Sequence, residues 1–179
     1  MILAGDIGGT KTNLALLKKR DDNSLEVYYQ QQFPSGPFGS LIEVLQAFAQ
    51  EISFSEIEAT CLGIAGPVIE GRCQATNLPW DITTADLQNY LGMERVHLLN
   101  DLEATAYGML YLPENEFITL NRSDSTIGNR AVIAAGTGLG EAMLYYDGVS
   151  GYHPIASEGG HTDFAPLTLQ QDRLLDLIN

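Results

Sequence analysis

The pattern of apolar and polar positions predicts that the chain opens with three strands and a helix. Residues 2–5, 13–17 and 25–33 are strand-like, and a glycine-rich turn separates the first two. Ser40 and Glu43 have the spacing of a capping box. The apolar residues that then recur at helical spacing are Leu41, Val44, Leu45, Phe48, Ala49 and Ile52.

Shorter apolar runs predict further strands after the first helix. Residues 59–65 and 96–99 predict two buried strands. Between them the sequence predicts a long loop that includes Asn77, and then a helix capped at Thr83 or Thr84. Each of these elements is short, so turn residues and caps define their ends.

The first 112 residues therefore predict an α/β fold. Gly92 is placed to end the second helix, and a third helix begins at Asn100. The order of three strands, helix, strand, helix, strand and helix indicates a mixed sheet with flanking helices over residues 1–112.

A second lobe is predicted to begin after this point. Residues 113–128 are polar and rich in Asn, Asp and Ser, which is typical of a boundary. Strands are predicted at 131–135 and 141–146, and a helix from about Thr168. Because the second part shows fewer elements than the first, we expect residues 113–179 to be the start of an incomplete lobe.

Charge and cysteine content narrow the classes of function. Twenty-three acidic residues against nine basic ones give a formal charge of −14, which repels nucleic acid and anionic membranes. We therefore expect neither as a partner. Cys61 and Cys73 are too few for a disulfide framework. The N-terminus has no secretory pattern and no apolar run is long enough for a membrane span, so the expected location is the cytoplasm.

Two glycine-rich turns have matching positions in the two parts of the chain. GDIGGTKTNLALL and AGTGLGEAMLYY each place a glycine turn between two strand-like segments. Glycines let backbone N–H groups converge on a phosphate, although a single such turn is also common in ordinary hairpins. A strand and not a helix follows each turn, which disfavours the Walker and dinucleotide-binding loops.

Several polar residues near these turns are candidates for chemistry. Asp6, at the end of the first strand, can hold magnesium through water, or simply form an Asx turn. Asp101 follows a buried strand and begins a helix, where a ligand-binding group or a first-turn acid both fit. Asn100 before it is equally suited to capping the helix. As a carboxylate, Asp101 is the best-placed acceptor for the proton of a hydroxyl that attacks a phosphoryl group.

Other candidates have weaker local signals. The string SEGGH brings Glu158 and His161 together, and both side chains can bind neighbouring sugar hydroxyls, although a lone histidine is usually structural. Thr10 and Thr12 can donate hydroxyls to phosphate, but threonine is also common in strands.

Taken together, the motifs resemble those of bacterial glucokinases, which belong to the hexokinase, actin and heat-shock ATPase superfamily. The resemblance covers the whole chain and rests, in family order, on GDIGGTKTNLAL, GIAGPV, TNLPWDI, LLNDLEATAYG, AAGTGLGEA and SEGGHTDFAP. It implies a ribonuclease-H-like fold duplicated into two lobes, with ATP and glucose in the cleft between them, and the reaction that begins glycolysis.

The resemblance also implies residue roles. Asp101 corresponds to the catalytic base for the glucose 6-hydroxyl. The residues that resemble the sugar-binding set are Asn77, Asn100, Asp101, Glu158 and His161. Those that resemble the phosphate and magnesium set are Asp6, Gly8, Gly9, Thr10, Lys11, Thr12, Gly136, Thr137 and Gly138.

Two departures from the family pattern qualify these expectations. The cysteine cluster that zinc-containing relatives carry after SEGGH is absent, so we favour the zinc-free branch. Family members also continue well beyond 179 residues, and we expect the complete protein to be a homodimer. The alternatives that this sequence leaves open are a kinase for another hexose or hexosamine, and a sensor that binds sugar or nucleotide without catalysis.

Overall fold

The structure is a computed structural model that describes residues 1–22, 24–75, 77–124, 127–136 and 138–178. It consists of a five-stranded mixed sheet, a three-stranded antiparallel sheet, a small two-stranded ladder and four α-helices. This confirms the predicted α/β class.

The five-stranded sheet has the order β3-β2-β1-β4-β7. Its strands are β1 (Ile2–Ile7), β2 (Lys11–Lys19), β3 (Leu25–Pro34), β4 (Ala59–Ile64) and β7 (Val96–Asn100). The first three run antiparallel as consecutive hairpins, whereas β1, β4 and β7 are mutually parallel. The carboxyl ends of these three parallel strands therefore lie at one edge of the sheet.

Local sequence signals explain the helix ends. The helices are α1 (Leu41–Phe48), α2 (Thr84–Leu91), α3 (Asp101–Met109) and α4 (Leu169–Ile178). Thr83 caps α2 by accepting from the N–H of Asp86, and Gly92 ends it in the left-handed region at φ 67°. Both caps were expected from the sequence.

The start of α1 differs in detail from the predicted capping box. Ser40 caps the helix by accepting from the N–H of Glu43, but the Glu43 carboxylate accepts from Gly39 instead of from the cap residue. The helix also ends at Phe48, so Ala49 is its C-cap residue and Ile52 lies outside it. Ile52 nevertheless packs against the core, which explains why its spacing looked helical.

One element was not expected. Where the sequence predicted only a long loop, β5 (Arg72–Gln74) and β6 (Asp81–Thr83) pair as a short antiparallel ladder. Their inward residues, Cys73 and Ile82, are buried. Strands of three residues are too short to show the alternation on which a sequence-based prediction depends.

The main core lies on one face of the five-stranded sheet. Inward residues of the strands, such as Leu3 and Leu62, share it with buried residues of α1 and α2. Its largest fully buried side chains are Trp80 and Phe48. Helix α3 packs on the opposite face, over β4 and β7.

The second sheet consists of β8 (Arg130–Ala135), β9 (Leu139–Tyr146) and β10 (Tyr152–Ser157), in the order β10-β9-β8. It packs on α3, whose Ala106 joins Val132, Ala142 and Leu144 in a second, smaller core. The division into two lobes at residue 112 stays a prediction. In the part of the chain that the structure describes, none of the helices is long and apolar enough for a membrane span.

The aromatic core generates a stability prediction. Phe48 is completely buried and its ring contacts those of Tyr29, Phe33 and Phe54. We expect Phe48→Ala to lower the free energy of unfolding by about 3–5 kcal/mol, because the change removes a buried ring and leaves a cavity. Urea unfolding followed by far-UV circular dichroism measures this loss. Phe48→Leu should cost clearly less, and equal losses for the two variants would contradict this packing.

Candidate active site

The candidate site lies at the carboxyl edge of the parallel strands. Ile7, Ile64 and Asn100 are register partners in the last row of β1, β4 and β7. The N–H of Ala65 donates to the carbonyl of Ile7 at 3.0 Å, and Asn100 Nδ2 donates to the carbonyl of Gly66 at 3.1 Å. These bonds join the three strand ends, which is where open α/β sheets present ligand-binding groups.

Asn100 also fixes the start of α3. Its Oδ1 accepts from the N–H groups of Leu102 and Glu103 at 3.0 and 3.3 Å, and the Glu103 carboxylate accepts from the N–H of Asn100 in return. This is a complete capping box, so Asn100 does cap the helix. It also holds the next residue, Asp101, at the first helical position.

Asp101 is half-buried beside two other carboxylates. Burial raises the pKa of the Asp101 carboxyl above its ordinary value, and the negative charges of Asp6 and Glu158 raise it further. The N–H of Leu102, which donates to Asp101 Oδ1 at 2.8 Å, acts in the opposite direction. Asp6 comes from the first sheet and Glu158 from the end of β10, so the structure brings these three predicted residues together.

The first glycine turn is held by a buried hydroxyl that sequence analysis missed. Ser35 is fully buried, its Oγ donates to the carbonyl of Gly8 at 2.7 Å, and its N–H donates to the carbonyl of Thr10 at 3.0 Å. Because this hydroxyl has a single proton, the 3.0 Å contact between Ser35 and Thr12 must have Thr12 as its donor. A serine after a strand carries no local signal for such a role.

Thr12 consequently differs from the other predicted phosphate ligands. Its side chain points into the core, is completely buried and is bonded to Ser35, which disfavours a contact between its hydroxyl and phosphate. The alternation of β2 explains this, since Lys11 is exposed and its neighbour faces inward. Gly8, Gly9 and Thr10 form the turn itself.

Asn77 lies directly against the first turn. A Cβ atom on Gly9 would approach Asn77 Cβ to 2.7 Å, so only glycine permits this contact. The loop that carries Asn77 is anchored by Trp80, which is buried and donates from Nε1 to the carbonyl of Phe38 at 3.0 Å. The anchored loop therefore presents an exposed amide beside the turn.

The second glycine turn contacts the SEGGH segment. A short 3₁₀ helix, Gly159–His161, packs so closely on the turn that a Cβ atom on Gly160 would overlap the carbonyl of Leu139. His161 Nδ1 lies 3.1 Å from Glu158 Oε2, and both side chains are exposed. Gly136 and Gly138 border open space, whereas Thr137 lies outside the described residues.

A magnesium ion at this site would need oxygen ligands. Among the residues that the structure describes, no group of three or more His, Cys, Asp or Glu side chains is arranged to hold a metal. Magnesium in phosphoryl-transfer sites is held by one or two carboxylates together with substrate phosphates and water. The exposed carboxylate of Asp6, beside a glycine turn, fits that kind of ligand.

The fold class follows from three features: the two sheets, the helix α3 between them, and the two glycine turns. The chain has the actin-like ATPase fold found in sugar kinases, as expected. A family model described as Glucokinase matches residues 3–179, so this chain belongs to the glucokinase family.

Known relatives agree with this assignment. A glucokinase of Nostoc punctiforme is 38% identical over 170 residues, which are 93% of this chain and 49% of that protein. A glucokinase structure from an Antarctic psychrotroph superposes with a TM-score of 0.81 at 31% identity, over 98% of this chain and 55% of that one. The chain thus spans about half the length of the relatives it matches.

A more distant structure has the same fold. It is a ROK family glucokinase from Streptomyces griseus in complex with glucose and AMPPNP. Its TM-score is 0.62 at 22% identity, over 94% of this chain and 52% of that one.

The raised pKa of Asp101 predicts a pH-dependent effect on stability. Ionisation of Asp101 destabilises the folded state. This destabilisation is absent below the ordinary aspartate pKa, grows as the pH rises from that value to the raised pKa, and is complete above the raised pKa. We therefore expect Asp101→Asn to raise the Tm of the protein at pH 8, by an amount that shrinks as the pH is lowered toward about 4.

Asp81 provides a control of opposite sign. A hydrogen bond from Arg72 lowers the pKa of Asp81, so its stabilising effect is present at neutral pH and is lost on acidification. Asp81→Asn should accordingly lower the Tm at pH 8. Thermal scans across the pH range test both variants, and a Tm for Asp101→Asn below that of the unchanged protein at pH 8 would contradict the assignment.

Proposed function

We propose that this chain is the front half of a kinase that transfers the γ-phosphoryl group of ATP to the 6-hydroxyl of glucose, the first step of glycolysis. The observation that carries the proposal is the position of Asp101, which lies at the N-terminus of α3 in electrostatic contact with Asp6 and Glu158. Asp6 lies two residues before the first glycine turn, and Glu158 belongs to the SEGGH segment. A phosphate donor and a sugar would meet between them.

In this proposal Asp101 is the general base. Its carboxylate accepts the proton of the 6-hydroxyl while that oxygen attacks the γ-phosphorus, and the bond to the β,γ-bridging oxygen breaks to release ADP. A carboxylate with a raised pKa is a better proton acceptor than an ordinary one. Half-burial also removes water that would compete for the same oxygen atoms.

The sugar would be bound by polar groups from three segments. Glu158 and His161 offer an acceptor and an imidazole 3.1 Å apart, which suits adjacent hydroxyl groups. Asn77 presents an exposed amide from the anchored loop. Asn100 stays a predicted ligand, although it is buried and its amide already bonds the backbone of Gly66 and Leu102. The Streptomyces griseus relative, which holds glucose and AMPPNP, supports glucose and ATP as the substrate pair.

The phosphates would be bound mainly by backbone groups. Gly9 and Thr10 would supply N–H groups from one sheet, and Gly138 from the other. The N–H groups of Gly8 and Gly136 donate to the carbonyls of Lys11 and Gly138, so these two glycines would shape the turns. The exposed Lys11 adds a positive charge. Magnesium, when bound through water to Asp6, would neutralise phosphate charge. A cytoplasmic homodimer and a second lobe that is completed by further chain stay predictions.

Replacement of the proposed base tests this function. In the full-length protein, Asp101→Asn should lower the turnover of glucose phosphorylation about a hundredfold or more, because the amide cannot accept the proton. A coupled assay of glucose-dependent ADP release measures the effect. Asp86→Asn, at the first turn of α2, is the matched control and should stay within about twofold. Equal turnover of the Asp101 variant and the unchanged protein would refute this role, and a panel with mannose and glucosamine would establish the preferred sugar.

A further inference from the structure

A row of three polar side chains crosses the first hairpins next to the candidate site. Asp6, Asn13 and Gln32 are register partners on β1, β2 and β3. Asn13 Nδ2 donates to Asp6 Oδ2 at 3.1 Å, and Gln32 Nε2 donates to Asn13 Oδ1 at 2.7 Å. The row lies on the face of the sheet opposite the main core.

The direction of these bonds is fixed by chemistry. The carboxylate of Asp6 only accepts hydrogen bonds, so Asn13 must present its NH₂ group to it. The Asn13 carbonyl oxygen then faces β3 and needs a donor, which Gln32 supplies. A reversed Asn13 amide would place an oxygen against a carboxylate, which is repulsive. Gln32 therefore stabilises the orientation of the Asn13 amide that the Asp6 carboxylate requires.

We infer that Asn13 is a positioning residue for Asp6 and that Gln32 sets the orientation of its amide. The inference rests on the proposed function, in which Asp6 faces magnesium and the nucleotide phosphates. Asp6 Oδ2 is held by Asn13, which restrains the rotamer of the carboxylate and leaves its other oxygen outside this bond. Groups that orient a metal-binding carboxylate in this way influence metal affinity without touching the metal.

Gln32→Glu gives the sharpest test, because it replaces the donor by an acceptor. The new carboxylate should attract the Asn13 NH₂ group and turn its oxygen toward Asp6. We expect the gain in ADP affinity that magnesium provides to fall about fivefold, which corresponds to the loss of one exposed hydrogen bond. Affinity for ADP without metal should stay within about twofold. Isothermal titration calorimetry of the full-length protein with ADP, in MgCl₂ or in EDTA, measures both.

Gln30→Glu is the matched control. Gln30 lies on the same strand and face, two residues from Gln32, and its register partner is Ala15. It introduces the same negative charge without a partner amide, so the gain from magnesium should stay within about twofold. An equal fall in both variants would mean that charge alone matters, and no fall in Gln32→Glu would mean that the amide does not act on Asp6; either result overturns the inference.

A double variant separates an effect of Gln32 that acts through Asn13 from a direct effect of Gln32 on the phosphates. If Gln32 acts through Asn13, then Gln32→Glu should change little further in an Asn13→Ala background, whereas a direct effect on phosphate would persist and contradict the inference. Failure of the proposed function has a different outcome. Absence of glucose-dependent ADP release from the unchanged protein would refute the kinase assignment, while an active protein in which the Gln32 and Gln30 variants behave alike would refute only the positioning role.

Discussion

Helix α3 lies between the two sheets, and a glycine on each side lets it approach both. A Cβ atom on Gly63 of β4 would come within 3.0 Å of Ala104 Cβ, and one on Gly140 of β9 within 2.9 Å of the Leu102 side chain. These contacts set the depth of α3 between the layers. They also place its first residue, Asp101, at the edge where β1, β4 and β7 end.

The same arrangement is the basis of the phosphate site that we propose for so acidic a chain. Backbone N–H groups of two glycine turns provide partial positive charge. Three carboxylates near the turns come from separate elements: Asp6 from β1, Glu158 from the segment after β10, and Asp101 from the start of α3. Burial, together with the negative charges of Asp6 and Glu158, raises the pKa of Asp101, which is unfavourable for stability and useful for the proposed base.

Much of this was predictable from local sequence. The strands, the caps at Thr83 and Gly92, and the start of α3 all have short-range signals, and the repeat of the glycine turns indicated two related halves. Contacts between distant segments could not be predicted. The bond from Ser35 to Gly8, the anchoring of the Asn77 loop by Trp80 and the contact of Gly160 with Leu139 depend on tertiary packing. Thr12 stays a predicted ligand, but its burial disfavours that role, because the alternation of β2 turns its side chain inward.

The most direct test is a crystal structure of the full-length protein with glucose and AMPPNP. The account predicts that phosphate oxygens accept hydrogen bonds from backbone N–H groups of both glycine turns, and that the glucose 6-hydroxyl lies within hydrogen-bond distance of the Asp101 carboxylate. A nucleotide bound at only one turn, or a 6-hydroxyl directed away from Asp101, would contradict it.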